Sequence, residues 1–222
     1  FYYSFLFLPQ NQRRAITALY AFCREVDDVV DECQDPQIAA TKLAWWRQEL
    51  SGLYAGKPQH PVTQALQAAS AEFHLPEEQL QEIIDGMAMD LQQTRYLDFK
   101  ALSLYCYRVA SVVGLLAAEI FGYQDRKTQK YAHDLGLAFQ LTNIIRDVGE
   151  DARMGRIYLP IDELQRFGVP AADILNARHS DNFRRLMEFQ IERAEGYYAQ
   201  AIDELPAIDR RAQRPGVMKA AN

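Results

Sequence analysis

Hydrophobic residues recur at helical spacing along nearly the whole chain, and proline and aspartate mark where helices begin. This pattern predicts helices over about 11–32, 36–54, 61 onward, 76–93, 98–121, 125–153 and 181–205. Glycines and prolines between residues 154 and 180 predict a looser stretch. No run of alternating β-branched residues is long enough to predict a strand. The predicted fold class is therefore all-α, a helical bundle whose site lies between facing helices.

Length, net charge and cysteine spacing limit the classes of function that the chain is expected to have. The chain has 222 residues, which suits one domain with a sizeable core. Its net charge of −6 provides no basic surface, so nucleic acid is not an expected partner. Cys23, Cys33 and Cys106 lie far apart without the spacing of metal ligands, which favours the reducing cytoplasm.

The longest apolar stretch covers residues 109–123 and contains Glu119. It is too short to cross a bilayer, so we predict a buried core helix. Peripheral contact with the inner face of the membrane is left open. No signal peptide is visible, and because the chain opens on Phe1 rather than Met, we expect a few residues to precede it.

Two predicted helices carry aspartates four residues apart, which places both carboxylates on one face about 5–6 Å apart. The first helix is apolar nearly all round except for one polar stripe, formed by Tyr20, Arg24, Asp27 and Asp31. A helix of this kind is buried, so the stripe must face a cavity, a partner stripe or ions. Asp31 and Asp35 share the spacing, but Pro36 marks a helix start there, so we interpret that pair as a coincidence.

The second stripe has four polar residues at steps of three, four and four: Gln140, Asn143, Asp147 and Asp151. Such groups cost several kcal/mol if they stay unsatisfied on so apolar a helix. One explanation is structural ion pairing, with Arg24 reaching Asp28 and Arg146 reaching Glu150. The other is a shared cation site, which two stripes with interleaved arginines favour.

Oxygen ligands without histidine or cysteine favour Mg²⁺ over zinc. Magnesium binds through one or two carboxylates plus substrate phosphates, so two facing acidic sets predict a clamp for a diphosphate. Arginines would take up charge as the bond from carbon to the diphosphate breaks. The candidates are Arg24, Arg146, Arg153 and Arg156. Aromatic faces would stabilise the allylic cation that remains.

Four ordered segments resemble the signature motifs of the squalene/phytoene synthase family: residues 20–31, 105–114, 140–151 and 156–160. The similarity covers essentially the whole chain. Residues 42–47, 84–91 and 117–123 look closest to the bacterial presqualene diphosphate synthases of that family. The resemblance implies a single domain of the isoprenoid synthase type with a central cavity.

The resemblance also implies the reaction, a Mg²⁺-dependent head-to-head condensation of two prenyl diphosphates that closes a cyclopropane ring. Asp27 and Asp31 would hold metal at one substrate, and Asn143, Asp147 and Asp151 at the other. The residues expected to contact diphosphate or line the site are Tyr20, Arg24, Gln140, Arg146, Arg153, Arg156 and Tyr158. Tyr105 is the candidate for assisting deprotonation, although a free phenol is a poor base and the departing diphosphate is an alternative acceptor. Core packing is the structural alternative for Tyr105.

The resemblance further suggests that Phe1, Tyr3 and Phe5 form a flap or pocket wall, with ordinary core packing as the alternative. The family usually has a polar segment before the position of Phe1 and a final helix beyond Met218. Neither is present in this chain, and we expect both to belong to the complete protein.

The leading interpretation is that the chain joins two farnesyl diphosphates to presqualene diphosphate, in squalene and hopanoid biosynthesis. The alternative is that it joins two geranylgeranyl diphosphates, which would give phytoene. Cavity depth decides between them, and the residues expected at its floor are Val109, Val112, Val113, Leu116 and Leu137. A non-catalytic relative that acts as a binding partner is a further alternative. We find no dinucleotide fingerprint, which favours a reaction without a reductive step. The expected state is a monomer or a homodimer.

Overall fold

The computed structural model describes Phe5, residues 8–33 and residues 35–220, with side chains as far as Val217. Its helices are α1 (Gln10–Glu32), α2 (Pro36–Tyr54), α3 (Pro61–Ser70), α4 (Glu77–Gln92), α5 (Phe99–Cys106), a π-helical turn (Tyr107–Ser111), α6 (Val112–Phe121), α7 (Lys127–Arg153), α8 (Ile161–Phe167), α9 (Ala171–Leu175), α10 (Asp181–Glu204) and α11 (Arg214–Ala220). Over these residues the only β-type pairing is an isolated bridge between Arg95 and Ile157. The predicted all-α class is confirmed.

Side-chain caps explain why the predicted helix starts are accurate. Asp35 accepts a hydrogen bond from the N–H of Gln37 at 2.8 Å, and Asp98 accepts one from the N–H of Ala101 at 2.8 Å. Each bond satisfies an N–H that the helix itself leaves without a partner. Asp35 thus caps α2, as expected from Pro36, and does not continue the acidic stripe of α1.

A π-helical turn interrupts the helix predicted over 98–121. Glycines let neighbouring helices approach it closely. A Cβ on Gly86 of α4 would lie 2.7 Å from Val109 Cγ1, and one on Gly136 of α7 would lie 2.6 Å from Ser111 Cα. Both separations are too short for any larger residue, so α4 and α7 clamp the turn from two sides.

Residues Phe99–Phe121 form a continuous helical stretch of 23 residues that is long and apolar enough to cross a membrane by length and composition. The argument that the apolar segment is too short to do so was therefore wrong about length. A core helix passes the same test, and Val112, Leu116 and Ile120 are fully buried here. The prediction of a core helix is confirmed.

Two hydrophobic clusters meet at this central helix, which contributes α6 to one and α5 to the other. One joins α1, α2, α3, α4 and α6 around the fully buried Phe22, Leu50 and Leu80. The other joins α5, α7, α8 and α10 around Leu102, Leu141 and Leu186. Burying each of these side chains contributes about 1.5–3 kcal/mol. The two clusters hold α1 and α7 in place, and these are the helices that carry the acidic stripes.

Candidate active site

A cavity of about 710 Å³ lies between α1, α4, α5, α6 and α7. Its lining changes from acidic to apolar along both long helices, from Asp31 to Ile16 on α1 and from Asp151 to Tyr131 on α7. We call one end the acidic end, defined by Asp27, Asp31, Asp90, Asp147 and Asp151. The other is the apolar end, defined by Ile16, Phe121, Tyr131 and Gly216.

The stripe of α1 faces the cavity as expected. Arg24 pairs with Asp28 at 2.7 Å and lies 3.4 Å from Asp27. The predicted structural pair between Arg24 and Asp28 therefore exists, but it leaves Asp27 and Asp31 lining the cavity. A different cation lies near Asp31, because Arg156 Nη1 is 3.7 Å from its Oδ1.

The stripe of α7 faces the same cavity. Arg146 donates two hydrogen bonds to Asp147, from Nε at 2.7 Å and from Nη2 at 2.6 Å. The structural explanation paired Arg146 with Glu150 and was wrong on this point, because both oxygens of the adjacent Asp147 accept from the guanidinium instead. Asn143 donates to Gln140 at 3.3 Å, and both side chains line the cavity.

In each acidic pair, one carboxylate has a raised pKa, because its surroundings disfavour the charged form. Burial, followed by repulsion from Asp31, raises the pKa of Asp27 to about 6, although Arg24 opposes the change. Burial, followed by repulsion from Asp147, raises the pKa of Asp151 to about 6. The hydrogen bonds from Arg146 instead hold the pKa of Asp147 below its usual range. At the acidic end the negative charge of the aspartates therefore exceeds the positive charge of the arginines that line the cavity with them.

This charge imbalance fits a divalent cation, and the donor set is one that Mg²⁺ accepts. Within the residues that the structure describes, no three His, Cys, Asp or Glu side chains converge closely enough to hold a metal alone. Magnesium does not need such a cage, because it commonly uses one or two carboxylates, waters and substrate phosphates. The candidate donors are Asp27, Asp31, Asn143, Asp147 and Asp151.

Asp90 of α4 was missing from the sequence-based site. It accepts hydrogen bonds from Tyr105 Oη at 2.9 Å and from Tyr158 Oη at 2.8 Å. The two phenol rings stack at 5.2 Å, and all three side chains line the cavity. An acidic residue on the apolar face of α4, three positions after the buried Met87, was the signal that could have revealed it.

Burial dominates the protonation of this cluster. It raises the pKa of Tyr105 well above the usual range, and the charge of Asp90 adds to the effect. Burial also raises the pKa of Asp90, against the hydrogen bonds from Tyr158 and Tyr105. The phenol of Tyr105 therefore keeps its proton, and Asp90 is the group of the pair that more readily gains one.

Most predicted site residues share this one cavity: Phe5, Tyr20, Arg24, Asp27, Asp31, Tyr105, Gln140, Asn143, Arg146, Asp147, Asp151, Arg156 and Tyr158. Phe5 is buried, with its ring 6.5 Å from that of Phe121. Arg153 is exposed and does not line the cavity. Phe1 and Tyr3 lie outside the described residues. The roles of all these residues stay predictions.

The family profile and the similar sequences point to the same protein family. The sequence profile of the squalene/phytoene synthase family matches residues 1–222. The 15-cis-phytoene synthase of Synechocystis is 40% identical over 97% of this chain, which covers 67% of that protein. The chain spans about half the length of the chloroplast phytoene synthases that it matches.

Two solved structures share the fold. A dehydrosqualene synthase crystallised with a ligand superposes with a TM-score of 0.88 at 31% identity, over 99% of this chain and 76% of that one. The squalene synthase HpnC from Alicyclobacillus acidocaldarius gives a TM-score of 0.87 at 29% identity, over 98% and 83%. The isoprenoid synthase type of bundle is confirmed by these superpositions.

Proposed function

The chain belongs to the squalene/phytoene synthase family, and on that premise we propose that it joins two prenyl diphosphates head to head with the help of Mg²⁺. One observation carries the proposal. Aspartate pairs from two separate helices line a single cavity whose opposite end is apolar. That arrangement suits a substrate with a diphosphate head and a hydrocarbon tail.

Each acidic pair would serve one diphosphate. Asp27 and Asp31 would hold metal at the first, and Asn143, Asp147 and Asp151 at the second. Magnesium, when bound, supplies a Lewis acid that stabilises the leaving diphosphate. The arginines would add charge-assisted hydrogen bonds to its oxygens, and Arg24, Arg146 and Arg156 all line the cavity.

Ring closure needs a proton acceptor. The electron pair of a C–H bond forms the new C–C bond, and the released proton must leave the cation. Tyr105 Oη would accept that proton while it passes its own to Asp90, 2.9 Å away, leaving a neutral phenol and a neutral carboxyl. The departing diphosphate is the alternative acceptor.

We propose farnesyl diphosphate as the substrate and presqualene diphosphate as the product. Support comes from the two superposed structures, whose names place them among synthases of C30 hydrocarbons. The second candidate is geranylgeranyl diphosphate, giving a C40 phytoene precursor. It is favoured by the 40% identity to a phytoene synthase. Cytoplasmic location, peripheral membrane contact and a monomeric or homodimeric state stay predictions.

The experiment is to incubate the complete natural protein with Mg²⁺ and each prenyl diphosphate in turn, and to identify products by mass. We expect a cyclopropylcarbinyl diphosphate of C30 from farnesyl diphosphate. A larger yield of the C40 product would favour the second candidate. Folded protein that converts neither substrate would contradict the enzyme proposal and favour a non-catalytic binding partner.

A further inference from the structure

The apolar end of the cavity differs from the floor expected from the sequence. Val109 and Val113 line the cavity, but Val112, Leu116 and Leu137 do not and are buried in the core. The end is instead formed where α6, α7 and α11 meet, by Phe121, Tyr131, Leu135, Gln213, Pro215 and Gly216.

Tyr131 is the largest residue at this end and has an unusual environment. Its side chain is only 1% exposed, and its hydroxyl has no hydrogen-bond partner among the residues that the structure describes. Gly216 lies directly against that hydroxyl, because a Cβ added to Gly216 would lie 2.8 Å from Tyr131 Oη. The phenol of Tyr131 and the glycine that leaves room for it together close the cavity.

Buried hydrogen bonds hold this closure in place. Gln213 is 2% exposed and donates to the carbonyls of Ala118 at 3.2 Å and Gly122 at 3.0 Å. Its neighbours Pro215 and Gly216 are thereby fixed against the end of α6. Gln12 donates to the carbonyl of Phe121 at 3.1 Å, which fixes the start of α1 at the same place.

We propose that Tyr131 and Gly216 form the end wall that limits the length of the prenyl chain, an inference that rests on the proposed function. Along α7, Asp147 and Tyr131 are separated by about 24 Å at 1.5 Å per residue. A farnesyl chain of twelve backbone carbons extends about 14 Å, and a geranylgeranyl chain about 5 Å further. The carboxylate, metal and diphosphate occupy about 10 Å of that distance. The wall therefore accommodates the shorter chain and opposes the longer one.

The test measures binding of the S-thiolodiphosphates of farnesol and geranylgeraniol, which resist ionisation, to the complete natural protein with Mg²⁺. Tyr131→Ala should raise the affinity for the longer analogue relative to the shorter by about tenfold, a change typical of pocket-wall contacts. Tyr131→Leu, which keeps more of the core volume, should raise it in the same direction. Gly216→Ala should lower it, because the new methyl group pushes the phenol into the cavity.

The contact between Gly216 and the hydroxyl of Tyr131 allows a more specific test. Tyr131→Phe removes only the oxygen and should leave the affinity ratio within about twofold of the wild-type ratio. In the double variant with Gly216→Ala, it should return the affinity ratio to that of wild type. Gly196→Ala is the matched control, because a Cβ there meets nothing within 4 Å.

Unchanged affinity ratios in folded Tyr131→Leu and Gly216→Ala proteins would overturn the proposal that these residues limit the chain length. Failure of the proposed function is seen separately, as absent turnover of the unmodified substrates by a wild type that binds the analogues. If the affinity ratio changes in the variants as expected, the proposed wall is supported whether or not the wild type turns over the unmodified substrates.

Discussion

The acidic and apolar ends of the cavity are built in different ways. At the acidic end the side chains are partly open to water, with Asp27 39% and Asp31 49% exposed, and each stripe belongs to one helix. At the apolar end Tyr131 is 1% exposed, and the wall needs three helices and buried hydrogen bonds. We therefore expect substitutions at the acidic end to change rates while leaving the fold intact. Substitutions at the apolar end should change chain-length selectivity and stability together.

The largest expected effect on this difference between the two ends comes from removing a carboxylate at the acidic end. Asp27→Ala or Asp147→Ala should lower turnover by at least about 100-fold, because the diphosphate loses a metal contact that matters most as charge develops. Helical circular dichroism and Tm should stay near those of wild type. Glu25→Gln, an exposed charge loss on α1 outside the cavity, should change turnover by less than about twofold. An unfolded Asp27→Ala protein would instead support the structural ion-pair explanation.

Asp90 tests whether chemistry at the acidic end extends to α4. Asp90→Asn should lower kcat by about 10–100-fold with KM little changed, because an amide accepts a hydrogen bond but takes up no proton. Tyr158→Phe is the comparison variant at the same site, since it removes one hydrogen bond to Asp90 and keeps that of Tyr105. Steady-state kinetics with purified substrate measure both. An unchanged kcat in Asp90→Asn would favour the departing diphosphate as proton acceptor.

Asp209 tests the stability of the apolar end. Burial would raise its pKa, but hydrogen bonds from Thr128 and from the N–H groups of Gln124 and Asp125 outweigh burial and lower it. Asp209→Asn should cost about 2 kcal/mol of unfolding free energy at pH 7. A carboxylate with a depressed folded pKa stabilises above its unfolded value of about 3.9, and this contribution is lost as pH falls further. Denaturant titrations should therefore show the two proteins converging below about pH 4, and a constant difference would contradict this account.

The smallest expected effect is the pH dependence of the metal-free acidic end. The folded pKa of Asp27 and of Asp151 is raised to about 6, so their contribution to stability falls as pH rises through that value. Lowering the pH from 7.5 to 5.5 should raise Tm by about 2 °C, a small change because solvent screens partly exposed groups. The double variant Asp27→Asn/Asp151→Asn should lack this slope. A Tm that falls equally in both proteins would contradict the assignment.

What could be predicted from the sequence follows the same division. The i,i+4 spacing of Asp27 with Asp31 and of Asp147 with Asp151 is a property of each helix alone, so a local pattern is sufficient to find it. Helix starts at Asp35 and Asp98 were predictable for the same reason, since a cap acts within three residues. Asp90 was harder, because its partners Tyr105 and Tyr158 come from distant parts of the chain.

The apolar end was not predictable from local patterns. Val112 and Leu116 are as apolar as Val113, and only the packing of α6 decides which of them lines the cavity. Tyr131 gave no signal because a tyrosine in an apolar helix is an ordinary core residue. The short helices α8, α9 and α11 were also missed, since glycines and prolines around them resemble those of a loop.

The π-helical turn has one further consequence, for the phase of the central helix. Eight residues separate Tyr105 from Val113, and in a regular α-helix they would point about 80° apart. One additional residue in the turn removes about 100°, which brings the two side chains to within about 20°. The central helix can thus present Tyr105, before the turn, and Val113, after it, to the same cavity. For protein engineering this suggests an exchange point at Ser111: a segment exchanged beyond it would alter the apolar lining and leave the register of Tyr105 unchanged.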